Sequence, residues 1–323
     1  MDGFAGAIGV SDSEGKMSPV VHIYHPVGAD ARYLAHALRV AASSGFVTAL
    51  AKGIRERSTA FDRKTFRDMD LPCPPLSVQS AIADYLDRET AQIDKLIAKQ
   101  ERLIATLRER RTQMIANAVT GSLASSHSTR PGGVSWLSSI PSHWELARVR
   151  HIADIATGYG DTVDAEDVGE FPFYVRSQTP LRSSTWDHEG PAVLTAGDGA
   201  GVAKVFHLVG GKFKAHQRVY VLDNFRRVLP QFFLAYFSTF FSRVALDGSA
   251  KSTVDSVRRP MISDMPICIP GLDEQRDIVT FVSGETTKID TLIAKAERFI
   301  ELSKERRAAL ITAAVTGQIE VPA

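Results

Sequence analysis

Cysteine is nearly absent: Cys73 and Cys268 are the only two in 323 residues. That count excludes a disulfide-framed secreted scaffold. Each thiol lies just ahead of a copied helix, about one repeat period from the other, so the expectation is two equivalent buried positions in a reducing cytoplasm, not a bridge. Long apolar runs are missing too. The longest, residues 232–241, is about half of what a membrane span requires, and no basic segment with an apolar stretch opens the chain. A soluble protein with no membrane partner is expected. Charge of one sign is scarce, the formal net charge being +1, which taken alone argues against a nucleic-acid binder.

Catalytic signatures are also lacking. The amino-methyltransferase pattern of Asp or Asn, two prolines and an aromatic residue does not occur; the nearest string, Cys73-Pro74-Pro75-Leu76, has neither the polar acceptor nor the stacking ring. Glu14-Gly15-Lys16 near Asp12 has the residue types of a metal-assisted nuclease, but in a turn-like stretch without supporting context. His22, His25, His143, His188, His207 and His216 show no metal-ligand spacing. Gly197-Asp198-Gly199-Ala200-Gly201 looks superficially like a phosphate loop, yet such a loop must open a helix, and residues 202–221 read as strand, turn, strand. A tight β connection is the better reading. Neither a catalytic site nor a metal is expected.

What is present is a long duplication. Residues 89–121 (ETAQIDKLIAKQERLIATLRERRTQMIANAVTG) and 285–317 (ETTKIDTLIAKAERFIELSKERRAALITAAVTG) share 19 of 33 positions without a gap. Apolar residues at Ile93, Leu96, Ile97, Leu103, Ile104, Leu107, Met114, Ile115 and Ala118, matched in the second copy by Ile289, Leu292, Ile293, Phe299, Ile300, Leu310, Ile311 and Val315, give helical spacing with one buried stripe. Two copies so far apart cannot form a stacked solenoid. Packing of the copies on each other is the economical solution, and symmetric pairing with a second chain is the rival. A helix of about 34 residues spans roughly 50 Å, or about 15 base pairs.

Each helix ends in Ala-Val-Thr-Gly, where glycine suits a left-handed cap. Each follows a proline-bearing extended segment, 71–76 or 267–272, with Gln79 or Gln275 in the opening turn. Fainter echoes link Tyr33-Leu34-Ala35 with Phe233-Leu234-Ala235, and strand-like residues 20–24 with 219–222. Residues 1–72 therefore resemble the second half of a unit whose complete version is 134–266. The segments expected are 1–72 as the later half of a first domain, 73–121 as a spacer helix, 122–133 as a Ser/Gly-rich linker, 134–266 as a full α+β domain, and 267–323 as a second spacer helix. Within the full domain, residues 171–175, 192–195, 202–208 and 218–222 read as strands and 231–241 as a buried helix.

Charge is unevenly spread. Residues 150–199 hold three Lys/Arg against nine Asp/Glu, and residues 200–260 hold ten against three. The basic segment, Lys204, Lys212, Lys214, His216, Arg218, Arg226, Arg227, Lys251, Arg258 and Arg259, combines with Gln178, Gln217, Ser252 and Thr253 as donors and acceptors suited to phosphates and base edges. The DNA-binding candidates are Gln178, Lys204, Lys212, Lys214, His216, Arg218, Lys251, Ser252, Thr253, Arg258 and Arg259. A solvated basic face is the competing reading.

Taken together, Gly133-Val134-Ser135-Trp136-Leu137, Ile140-Pro141-Ser142-His143-Trp144, the proline segments with Gln79 or Gln275, and the doubled Ile-Asp-x-Leu-Ile helix resemble the specificity (S) subunit of type I restriction-modification systems. The resemblance covers nearly the whole chain. It implies an α+β fold in which mixed α/β target recognition domains are joined by two long antiparallel coiled-coil helices. It also implies a non-catalytic, cytoplasmic subunit that binds double-stranded DNA at a bipartite target. Methyltransferase (M) subunits would bind S-adenosylmethionine and catalyse, leaving this chain without a cofactor of its own, and a restriction (R) subunit is a further partner. Against the family pattern, the first half of the first recognition domain is not found. A half-reader that binds the methyltransferase without full target recognition is therefore an alternative, and a self-sufficient modifying enzyme is another.

Overall fold

The computed structural model describes residues 8–16, 21–46, 66–67, 69–123, 128–134, 136–247 and 256–322. Its helices are α1 (Ala31–Ser43), α2 (Leu76–Val119), α3 (Pro230–Asp247), α4 (Arg259–Ser263) and α5 (Leu272–Val315). Its strands are β1 (Thr129–Val134), β2 (Leu137–Pro141), β3 (Glu145–Arg148), β4 (Asp154–Thr157), β5 (Phe171–Tyr174), β6 (Leu181–Ser183), β7 (His188–Glu189), β8 (Ala192–Ala196), β9 (Phe206–Val209), β10 (Lys212–Ala215), β11 (Val219–Asp223) and β12 (Pro266–Ile269). The chain divides into two compact units, Met1–Ala105 with Ile293–Ala323, and Thr106–Leu292.

The doubled segments are helical, and each helix runs 44 residues, about 66 Å, because it starts directly after its proline segment. In the first unit Ile82, Ala83 and Leu86 near the start of α2 share a core with Ile311, Ala314 and Val315 near the end of α5, joined by Tyr33 and Ala37 of α1. In the second unit the end of α2 (Ile115, Ala116, Val119) shares a core with Ile278 and Val279 near the start of α5. Start meets end in both, so the helices are antiparallel. Asp94 pairs with Arg307 at 3.0 Å in the first unit and Asp290 with Arg111 at 3.0 Å in the second, which is one ion pair made twice by equivalent residues. Only part of the apolar stripe is consumed. Ile93, Ile97, Ile104, Leu107 and Ile289 are buried, whereas Leu96, Leu103, Leu292 and Phe299 stay exposed at matching positions of the two copies.

The second unit holds the α+β domain. Its central sheet has the order β4-β11-β8-β9, and a second sheet has the order β6-β5-β10-β7, with β10 parallel to β5. Side chains alternate across a strand, so the middle strands serve two cores. Ala192 and Leu194 of β8 and Val219 and Val221 of β11 face a core shared with Phe213 and Ala215 of β10. Val193 and Leu222 face α3 instead, where Phe232, Phe233, Tyr236, Phe237, Phe240 and Phe241 are all buried. Each such ring contributes roughly 1.5–3 kcal/mol of burial.

Three local expectations change. Half of the stretch read as linker is strand β1, which pairs with β2 through Arg130↔Ile140, since the Gly132-Gly133 pair between them allows the irregular register of a bulged hairpin. The strand expected at 202–208 begins only at Phe206, because Lys204 and Val205 donate their N–H groups to the Gly201 carbonyl at 3.0 and 2.9 Å and so withhold them from a ladder. Residues 21–24, the described part of the strand expected at 20–24, pair with no strand. The cysteines also differ from one another: Cys268 is buried in β12, while Cys73 is exposed. β12 pairs with β3, and among the described residues no strand pairs with Leu71–Pro74.

Gly121 and Gly317 close the two long helices with φ of +74° and +72°, as their sequence predicts. Their surroundings diverge: a Cβ on Gly121 would sit 2.5 Å from the Pro141 ring and 3.2 Å from Trp144, and one on Gly317 would meet nothing within 4 Å. Both alanine variants carry the left-handed penalty of about 1 kcal/mol. Urea unfolding is therefore expected to show Gly121→Ala the more destabilised by at least another 1 kcal/mol from overpacking. Gln275→Ala strands buried polar groups and is expected to lower stability by about 1–3 kcal/mol in the same assay.

Candidate nucleic-acid interface

Strand alternation builds the most developed polar surface of the second unit. In β10, Phe213 and Ala215 are fully buried, which turns Lys212 and Lys214 to the opposite face. The Lys212 ammonium lies 4.5 Å from the centroid of the Trp186 ring, and Trp186 is 44% exposed. That is cation–π geometry. The Lys214 ammonium donates to Thr185 Oγ1 at 2.9 Å and pairs with Asp164 at 3.2 Å. The backbone N–H of Asp161 and the Lys214 ammonium together hold the Asp164 carboxyl below the ordinary carboxylate range. Beside this group, Tyr159 stands on the loop after β4 and stacks on His188.

A second cluster sits at the turn between β8 and β9. Asp198 accepts from Arg176 at 2.8 Å and from Arg218. Burial alone would raise its carboxyl, but the two guanidinium groups outweigh burial and hold it below its ordinary value. No helix opens after Gly201, only a 3₁₀ turn over Gly199–Gly201, as the sequence reading of a β connection expects.

The sequence candidates scatter over this domain. Gln178 and Lys204 are exposed, and Lys204 has no ion-pair partner among the described residues. Lys212 and Lys214 are brought together on β10. Arg218 is tied to Asp198. Arg258 and Arg259 are exposed, and Arg259 donates to the Ile155 carbonyl at 2.9 Å. Lys251, Ser252 and Thr253 lie outside the described residues. His216 is only 3% exposed, and its Nδ1 accepts the Arg218 N–H at 3.0 Å. So placed, it organises the β10–β11 turn and offers no ring edge to a ligand, a correction to its reading as a contact residue.

The charge division along the chain does not carry over to the folded surface. The acidic and basic segments do not form opposing faces, because strand pairing interleaves them: Asp154 binds Arg226 at 2.7 Å, Asp164 binds Lys214, and Asp198 binds Arg218. Trp186 and Tyr159 were not singled out by sequence. A lone aromatic in a loop carries no periodicity, and the only signal was the pair of glycines around Tyr159.

The residues that build this surface fall within a known domain class. Residues 141–298 match the family model for the type I restriction modification DNA specificity domain. The EcoDI specificity subunit of Escherichia coli is 24% identical over 180 residues, 56% of this chain and 39% of that protein. The MjaVIII specificity subunit of Methanocaldococcus jannaschii is 23% identical over 286 residues, 80% of this chain and 64% of that protein. A solved structure described as the basis of complex assembly and conformational transition of the type I R-M system aligns with TM-score 0.61 and 17% identity over 90% of this chain and 72% of that one, a likeness of fold. Over this segment the chain therefore matches a DNA specificity domain, and it is similar to the specificity subunits of type I restriction-modification systems. It spans less than two thirds of the length of these two relatives.

Among the described residues no helix is long and apolar enough to cross a membrane, and no cluster of metal-ligating side chains occurs. Burial, then the nearby Arg176 charge, lowers the His216 imidazole below its ordinary value near 6.5. The folded state thus resists a proton that the unfolded chain accepts, so stability present at neutral pH falls as pH drops below that value. Unfolding midpoints measured between pH 7.5 and 5 are expected to fall for the wild type and to fall less for His216→Asn, the difference isolating this ring from the other histidines.

Proposed function

We propose that this chain reads DNA sequence on behalf of a type I restriction-modification complex and performs no chemistry of its own. The observation that carries the reading is that the matched segment, residues 141–298, contains the strand that sets Lys212 over the exposed Trp186 and Lys214 against the neighbouring Thr185. Paired amines suit successive phosphates, and exposed rings suit bases. In this reading residues 134–266 act as a target recognition domain for one half of a bipartite site in double-stranded DNA. Lys212 and Lys214 bind phosphate, the exposed Gln178, Lys204 and Arg258 extend the surface, and Arg218 acts through its exchange between Asp198 and DNA.

Methyltransferase subunits dock on the long helices, supply S-adenosylmethionine and catalyse. The exposed Leu96, Leu103 and Phe299 of one unit and Leu292 of the other support such a helical partner. A restriction subunit is a further partner, and the complex works in the cytoplasm.

Gel shifts of the chain co-purified with its methyltransferase subunits, on genomic fragments, are expected to show sequence-selective binding. Lys212→Ala is expected to weaken binding evenly across sequences and to reduce the slope of log K against log salt by about one. Binding indifferent to sequence, or methyl transfer by the purified chain alone, would overturn the reading.

A further inference from the structure

The loop after β4 displays a side chain that the fold does not use. Tyr159 is 80% exposed. Its ring stacks on His188 with 5.9 Å between centroids and 12° between planes, and His188 stacks on the buried Phe213 at 5.6 Å and 17°. Three near-parallel rings therefore lead from the core to solvent, and the outermost keeps one face uncovered.

The backbone beneath this ring is pinned on both sides. Gly158 N–H donates to the Val219 carbonyl at 3.2 Å, Tyr159 N–H to Asp187 Oδ2 at 3.2 Å, and Gly160 N–H to the Ala215 carbonyl at 2.9 Å. Asp187 is itself anchored by the Ala215 N–H at 3.0 Å, and the Gly160 carbonyl accepts from Gln217 at 2.8 Å. Glycine is required on either side of the tyrosine. A Cβ at position 158 would lie 2.0 Å from the Ala215 oxygen, and one at 160 would lie 2.9 Å from the Phe173 ring. Four backbone hydrogen bonds thus hold an exposed aromatic in one place, and a contact group whose ordering is complete before binding forfeits little entropy when it binds.

We infer that Tyr159 is a base-stacking residue of the DNA interface, its open face taking the face of a nucleobase in the target as the fourth ring of the series. The inference rests on the DNA-reading function proposed above. The neighbourhood favours a base over a protein surface. Asp187, which holds the loop, adjoins Trp186 with Lys212 over its ring, and His188 pairs in register with Phe213 between Lys212 and Lys214. Lysine beside aromatic rings is the composition of nucleic-acid platforms and is depleted from protein–protein cores. A ring held in this way can press on a kinked base step or receive a base turned out of the stack.

The test uses the chain in complex with its methyltransferase subunits, a random duplex pool to select the preferred sequence, and equilibrium binding of the selected duplex over a range of salt. Tyr159→Phe is expected to bind as the wild type does. Tyr159→Ala is expected to lose about ten- to hundredfold in affinity with the salt slope unchanged, because no phosphate contact is removed. Its thermal unfolding should match the wild type, the ring being largely exposed. Wild-type affinity for Tyr159→Ala, an altered salt slope, or loss of the methyltransferase subunits with DNA affinity retained would each overturn the stacking role alone. A wild-type complex that enriches no sequence overturns the DNA-reading function and this role with it.

Discussion

Two buried glutamine side chains hold the architecture at its junctions. Gln275 is completely buried in the first turn of α5. Its Oε1 accepts the Leu229 N–H at 2.7 Å, and its Nε2 donates to the Pro270 and Arg227 carbonyls at 2.9 Å. Gln79, 1% exposed in the first turn of α2, accepts the Asp30 N–H at 2.9 Å and donates to the Pro74 carbonyl at 2.7 Å. An amide buried without partners costs several kcal/mol, so each glutamine demands these backbone groups around it. The residue before a short helix, the carbonyl of the proline segment and the opening of the long helix are thereby joined in one place. In the second unit the same amide positions Leu229, immediately ahead of the aromatic helix α3 and its six buried rings.

Charge follows a different logic. The acidic and basic stretches of the second unit pair in part across strands, Lys214, Arg218, Arg226 and Arg227 each meeting a carboxylate. Exposed ion pairs of this kind contribute little stability, about 0–1 kcal/mol each. Their consequence is selectivity of placement: Lys212 has an aromatic ring rather than a carboxylate as its neighbour, and Arg218 shares its carboxylate with Arg176. Negative phosphate can meet the exposed guanidinium of Arg218 while Arg176 keeps Asp198 paired, whereas the buried His216 and Phe213 stay fixed.

The doubled helices, their glycine ends, the proline segments, the buried helix over 231–241 and the strands β5, β8 and β11 were legible from spacing. Those features depend on local chemistry: a 3.6-residue apolar period, a ring that cannot donate, a residue that tolerates positive φ. The β1–β2 hairpin was not legible, because Ser, Thr and Gly give no alternation and only the partner strand reveals the ladder. Of the candidate contact residues, Lys212 and Lys214 share one face of β10, a strand that the sequence pattern did not reveal. His216 looked equivalent to them by residue type and is separated from them by burial, which sequence spacing does not report.

The sequence by itself determined that one helix is made twice and that each copy begins and ends on the same residues, since the determinants lie within a turn of the residue they control. Only the tertiary structure decided which half of the apolar stripe is covered, that Cys268 is enclosed with its thiol pushed up to about 12 by burial while Cys73 is exposed, and that Tyr159 stands above His188 and Phe213. Those outcomes depend on groups far apart in the chain meeting at van der Waals distance, and no local pattern encodes such a meeting.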